Sequence, residues 1–255
     1  MKLPVWKQFL NEAGGVAQFV FQFFRELGRS RFEGEAFLMQ CYTIGYRSLP
    51  LIGLTGFIMG LVLTMQLRPS MVDYGVASQL PAIVAIAIIR EVGPVITALI
   101  FAGKIGSSIG AELGSMKVTE QIDAMEVSGT KPFNYLVVSR VLASTLMLPV
   151  LVLLSDAISL YGSYIGVNVH SSTSSQLFWN QVFENLSFYD VLPAYFKSYL
   201  FGFAVGIIGS YKGFNCEKGT QGVGISANAA VVVSSVLVFV IDLIVVQITD
   251  VFSLL

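Results

Sequence analysis

The chain has 255 residues, 55% of them hydrophobic and only 12% charged, with a mean hydropathy of +0.74 and a formal net charge of -1. Soluble domains carry about 25% charged residues, so this composition excludes an ordinary water-soluble domain, and the near-neutral balance removes the electrostatic case for binding nucleic acid. Cys41, Cys216 and His170 are too few and too scattered for a disulfide framework or a metal-ligand cluster.

The opening MKLPVWKQFLNEAGG lacks the apolar core and cleavage site of a secretory signal and reads as part of the mature protein. Residues 5–27 set Val16, Val20, Phe23, Phe24 and Leu27 at helical spacing, with Lys7, Asn11, Gln18, Gln22 and Arg25 on other faces. This pattern predicts either a helix lying in the membrane interface or an amphipathic helix packed on its own bundle.

Five apolar segments follow, at about residues 48–66, 82–103, 135–165, 194–210 and 224–249, and each is long enough to cross a bilayer. Gly56 and Gly60 in the first form a GxxxG surface for close helix packing. An outer loop, RPSMVDYGVASQLP, separates the first two segments. After the third, Phe178, Trp179, Phe183, Phe188 and Tyr189 predict a helix lying on the outer membrane surface. A Gly-rich turn, YKGFNCEKGTQGVG, joins the last two. No internal repeat or second domain is visible, so residues 1–255 read as one all-α membrane domain.

Charge placement sets the expected orientation. Lys2, Lys7, Arg25, Arg29, Arg31 and Arg47 precede or begin the first span; Lys104, Lys117, Lys131 and Arg140 follow the second; Lys212 and Lys218 follow the fourth. The opposite side holds Arg68, with Lys197 at a boundary. By the positive-inside rule the N-terminus is cytoplasmic and the C-terminus outside.

Arg90 and Glu91 lie inside the second apolar segment. Charge on a membrane helix costs on the order of 2.5 to 3.5 kcal/mol on insertion scales, so such residues usually face the bundle interior or a water-filled cavity. Adjacent helical residues point about 100° apart, so each needs its own partner. Pro94 should kink the helix four residues beyond Arg90, and kink and charge together favour a cavity. The alternative is structural, with Arg90 reaching outward and Glu91 making a single interhelical ion pair. Lys197, Asp156 and Asp242 are the other intramembrane candidates, and for the two aspartates a hydrogen bond tying two helices is the simpler expectation.

Residues 111–127 form a candidate cytoplasmic amphipathic helix, with Val118, Ile122 and Met125 on one stripe and Glu112, Glu120, Asp123 and Glu126 elsewhere, stopped by Gly129 and Pro132. It is either a solvated surface helix or a docking element. No catalytic set emerges, and GTQGVG at residues 219–224 lacks the lysine of a nucleotide-binding loop. If ATP drives this protein, a separate chain binds it, and this chain carries no cofactor. A self-contained ion-coupled secondary transporter or channel using Arg90, Glu91, Asp156 and Asp242 is the alternative, with a passive membrane scaffold as a third.

REVGPVITALIFAGKIGSSIGAELGSMKVTEQIDAMEVSGTKPFNYLVVSRVLA at residues 90–143, together with GFNCEKGTQGVGISANAAVVVSS, resembles the MlaE/YrbE family of ABC-transporter permeases. The resemblance covers nearly the whole chain. It implies a homodimeric permease in a bacterial inner membrane that moves phospholipids or other lipids between envelope membranes. An ABC ATPase on the cytoplasmic side, an outer MCE-domain protein and, in some systems, a STAS-domain regulator would be its partners. Residues 112–127 would be the coupling helix, presenting Glu112, Met116, Lys117, Glu120, Gln121, Asp123 and Glu126 to the ATPase. Arg90, Glu91, Leu61 and Met65 would line the lipid cavity, shaped by Pro94, with Lys197 near the outer partner.

Overall fold

The computed structural model describes residues 5–29, 33–169 and 173–253. Lys2, Arg31 and His170 lie outside the described residues, as does the side chain of Arg29. The described residues form helices without a strand: α1 Val5–Arg29, α2 Gly34–Gly45, α3 Leu49–Asp73, α4 Leu80–Ala87, α5 Gly93–Phe101, α6 Ser107–Val118, α7 Gln121–Val127, α8 Ser139–Asn168, α9 Ser175–Asn185, α10 Phe188–Phe214 and α11 Thr220–Ser253. A chain without water to bond its peptide groups must satisfy them internally, and the helix does so segment by segment.

Short tight or wide turns join α2 to α3, α4 to α5 and α5 to α6, leaving five stretches long and apolar enough to span a membrane: Gly34–Asp73, Ala77–Val118, Phe133–Asn168, Phe188–Phe214 and Thr220–Val251. All five expected spans are present, and each helix outruns the apolar run that marked it. The first continues through Pro69 to Asp73, where a loop was expected from Arg68. A proline so near a helix end removes only one backbone donor and does not stop it.

The chain divides into two compact units. One comprises the N-terminal residues to Ile44 with Phe101–Leu146 and Gly202–Leu237. Here α1 buries Phe19 and Phe23 among Phe133, Val137, Val141 and Ile207. Phe19 meets Phe133 edge-on at 4.9 Å, Gly15 lets the Tyr211 ring approach, and Glu12 pairs with Lys212. The packed alternative therefore holds for this face of α1, while Trp6, Leu10, Phe21, Phe24 and Leu27 remain exposed as a second apolar surface.

The other unit comprises Gly45–Ile100, Met147–Phe201 and the residues from Val238 onward. Gly56 and Gly60 of α3 meet Ser155 and Ser159 of α8, and a Cβ on Gly60 would overlap the Ser159 carbonyl. Two buried hydrogen bonds lock that crossing, Thr64 Oγ1 to Ser163 Oγ and Ser159 Oγ to the Gly56 carbonyl, both 2.8 Å. The second cluster packs Leu80, Val84 and Ile88 against Leu160, Val167, Phe178 and Val182. Phe178 is thus a core residue and not a membrane-surface aromatic, because α9 folds back on α4 and α8; Phe183, Phe188 and Tyr189 are exposed.

Candidate functional site

The intramembrane charges converge where the second span departs from regular helix. Ile88–Val92 forms one wide π-helical turn, and the Gly93 amide donates to the Ile88 carbonyl five residues back. In a regular α-helix the Pro94 ring would press on the Arg90 carbonyl. The wide turn relieves that contact, so the expected kink takes the form of a π-bulge, a feature frequent at functional sites. Gly93 is required there as well, since a Cβ would overlap Oδ1 of Asp156.

From that turn Arg90 and Glu91 diverge to different partners. Glu91 Oε2 lies 2.7 Å from Nζ of Lys197, which also reaches Asp242 Oδ1 at 2.8 Å. Lys197 is only 1% exposed. Two of its three ammonium donors therefore meet carboxylates, the condition under which a buried charge is tolerated. Three helices, α10, α11 and the bulged second span, are tied at this one ammonium. Arg90 is half-exposed, with Nη2 at 2.9 Å from Asp250 Oδ1 and Nη1 at 3.9 Å from Asp190 Oδ1. Four carboxyl groups, Glu91, Asp190, Asp242 and Asp250, thus accompany Arg90 and Lys197 on these helices.

A cleft of about 230 Å³ opens beside this set. Arg90, Glu91, Lys197 and Asp190 make its charged wall, and Pro193, Val245 and Val246 its apolar one. The structural alternative weighed for Glu91, an interhelical ion pair, is the arrangement seen, and it is doubled. Lys197, placed by resemblance near the outer partner, lines the cleft and is held between Glu91 and Asp242. Pro94 is buried and lines no part of the cleft, and neither do Leu61 and Met65. Leu61 sits at the α3–α8 crossing, where its backbone approaches Gly162 and Gly166, and Met65 is exposed. Of the two aspartates expected to tie helices, Asp242 does so; Asp156 is buried with Oδ1 lacking any hydrogen-bond partner. Asp190 and Asp250 escaped the sequence reading, although both flank apolar segments as Lys197 does.

The candidate coupling element is two helices rather than one. Thr119 Oγ1 bonds back to the Ser115 carbonyl, Glu120 adopts φ 59, and α7 restarts at Gln121. Lys117 bridges the break to Asp123 at 2.8 Å. Beyond α7, Gly129 at φ 80 donates to Glu126 and Thr130 donates to Met125, the paired bonds of a Schellman stop. Glu120, Gln121, Asp123 and Glu126 are exposed, Met116 and Lys117 half-buried, and Ile122 seats the element in the protein. Glu112 does not stand free for docking: its Oε1 accepts from Nη2 of buried Arg140 at 2.8 Å, while Arg140 Nη1 donates to the Leu136 carbonyl at 2.8 Å. Arg140 had counted only as a loop cation.

An all-helical multi-pass protein with a charged cleft among its spans and a polar helical pair between two of them has the build of a transporter's membrane subunit. The chain matches the family described as Permease MlaE over residues 37–248, and it belongs to that family of ABC-transporter permeases. It is 37% identical to a probable ABC transporter permease protein of Rickettsia typhi over 80% of this chain and 78% of that protein. A probable ABC transporter permease protein of Synechocystis sp. shares 34% identity over 86% of this chain and 83% of its own length. The intermembrane phospholipid transport system permease protein MlaE of Haemophilus influenzae shares 32% over 92% of this chain and 96% of its own.

Proposed function

We propose that this chain is the non-catalytic membrane subunit of an ATP-driven transporter that moves phospholipids or related lipids between envelope membranes and so maintains their asymmetry. It resides in the bacterial inner membrane with its N-terminus cytoplasmic and its C-terminus outside, and works as a homodimer. ATP is bound by a partner ATPase, an MCE-domain protein receives or delivers lipid on the outer side, and a STAS-domain protein joins as a regulator. The name of the Haemophilus influenzae relative supports the choice of substrate.

The observation that carries the reading is Arg90 at the cleft. Its guanidinium is half-exposed and shared between two acids, one at 2.9 Å and one at 3.9 Å, so a lipid phosphate can replace them with a bidentate pair. The apolar wall at Val245 and Val246 continues into exposed Leu243, Ile244 and Ile248 of α11, a surface for acyl chains. Phosphate on one side and hydrocarbon on the other is what a lipid requires of a site. Exposed residues of α7 take the ATPase, and the movement enters the bundle through the second span, which is continuous in sequence with the coupling element.

Affinity isolation from the native membrane, with mass spectrometry of both proteins and lipids, tests this. Copurification of an ATPase, an MCE-domain protein and enriched phospholipid is the expected result. Recovery of the chain with neither ATPase nor lipid would overturn the reading and favour the ion-coupled alternative, which the same charge network would also serve.

A further inference from the structure

A phospholipid can carry several head groups, and the acids around Arg90 discriminate among them. Asp190 Oδ2 accepts from the Ser187 amide at 3.1 Å and from Ser187 Oγ at 2.7 Å, the return half of a capping box at the start of α10. This carboxylate is therefore oriented by its own helix end and not by Arg90. Its other oxygen, Oδ1, faces Nη1 of Arg90 at 3.9 Å, beyond hydrogen-bond reach. Asp190 lines the cleft with only 17% of its side chain exposed. Asp250, 2.9 Å from the same guanidinium, is 59% exposed. Lys197 brings no spare charge to the cleft, since Glu91 and Asp242 both hold it.

A phosphate that takes Arg90 separates the guanidinium from both acids. Water replaces the cation at exposed Asp250 at little cost, whereas covered Asp190 is left as an oriented, poorly solvated carboxylate. A head group with an ammonium close to its phosphate restores the pairing on both sides: phosphate takes the place of the acids on Arg90, and ammonium takes the place of Arg90 beside Asp190. A head without a cation leaves Asp190 unpaired, and one with an added carboxylate sets like charges together. A quaternary ammonium has no N–H to give a carboxylate and is recognised by aromatic cages. Among the described residues lining the cleft Tyr189 alone is aromatic, and it is 88% exposed. Resting on the assignment of this cleft to phospholipid, we propose that it selects lipids with a phosphoethanolamine-type head, the phosphate on Arg90 and the primary ammonium on Asp190 Oδ1.

To test this, the full-length protein in detergent is offered mixed micelles holding equal amounts of four lipids with the same acyl chains: the phosphoethanolamine form, its N-acetyl derivative, the phosphocholine form and the phosphoglycerol form. Bound lipid is quantified by mass spectrometry. The expected result is enrichment of the phosphoethanolamine lipid about tenfold over each of the others, the worth of one charge-assisted hydrogen bond. Asp190→Asn, which keeps an oxygen for Ser187 but removes the charge, should bring the four to near-equal amounts. Bound lipid that mirrors the offered mixture overturns the head-group assignment while leaving the phospholipid reading in place. A preference undiminished in Asp190→Asn does the same. Failure of all four to bind overturns the phospholipid reading and this proposal together. If the Asp190→Asn protein does not fold, the comparison of the phosphoethanolamine lipid with its N-acetyl derivative decides alone, because the two differ only at the amine.

Discussion

Two buried cations of this protein are held in different ways. Lys197 is placed between two carboxylates from two other helices, Glu91 at 2.7 Å and Asp242 at 2.8 Å. Arg140 has one carboxylate, Glu112 at 2.8 Å, and one backbone carbonyl, and its Nε has no partner. Glu112 is itself about half-exposed, whereas Asp242 is largely covered. Lys197 is thus the shared centre of an ionic knot in which each acid depends on it. Arg140 is a strut, a buried base whose single acid is wetted and replaceable by water. Removing the central cation and removing a wetted acid should therefore have unequal consequences.

The largest effect is expected at the knot. Lys197→Met leaves Glu91 and Asp242 facing one another without a counter-charge, and breaking a buried pair from one side costs about 3 to 5 kcal/mol. The triple variant Lys197→Met, Glu91→Gln, Asp242→Asn should recover most of that loss, since removing all the charges leaves none unpaired. Thermal unfolding in detergent reads both. A single variant as stable as the wild type would show that Lys197 is not the centre of the knot.

Steric closeness comes next. Gly60→Ala places a methyl group on the Ser159 carbonyl, and overpacking of this kind costs about 1 to 3 kcal/mol. Gly14→Ala, where a Cβ meets nothing within 4 Å, is the control and should change the melting temperature little. Equal melting temperatures for the two variants would mean that α3 and α8 are not in contact at Gly60.

At the strut the cost is smaller. Glu112→Gln keeps an oxygen for Arg140 but removes the charge assistance, a loss of about 1 kcal/mol, discounted because Glu112 is half in solvent. Under the proposed function, its larger consequence is in coupling: ATPase activity should become less responsive to lipid while the ATPase stays bound. Glu120→Lys, on the exposed face, should do the reverse and weaken copurification of the ATPase. If Glu112→Gln releases the ATPase, then Glu112 docks directly and is not a strut.

The same contrast marks what could be read from the residues. Apolar length revealed the five spans, because a bilayer makes that property decisive, and the Gly56, Gly60 pair pointed to close packing. Arg90, Glu91 and Pro94 stood out as exceptions within an apolar run, and the structure places a bulge and a knot there. The partners were not legible, since Lys197 lies 106 positions from Glu91 and Asp250 160 from Arg90, and no periodicity carries information over such separations. The break at Thr119 and Glu120 was hidden because both residues are compatible with a helix and the departure is confined to one residue, Glu120 at φ 59. Phe178 looked like a surface aromatic because its burial depends on where α9 folds back, which the local pattern does not contain.

The smallest stability change should separate the ligand role of Arg90 from a structural one. Its guanidinium is 44% exposed and its closest acid, Asp250, is 59% exposed, so the pair sits among exposed ion pairs worth about 0 to 1 kcal/mol. Arg90→Gln should accordingly leave the melting temperature close to that of the wild type, in contrast to Lys197→Met. Under the proposed function it should still reduce the phospholipid that copurifies, because glutamine offers a lipid phosphate neither charge nor the two-pronged geometry of arginine. Arg90→Lys, which keeps charge without the fork, should retain part of the bound lipid. Asp250→Asn and Asp190→Asn, which remove competitors for the guanidinium, should retain all of it or more. A series in which lipid content follows the melting temperature would make Arg90 one more structural ion; lipid lost at constant melting temperature, ordered Gln below Lys below Arg, makes it the group that meets the head.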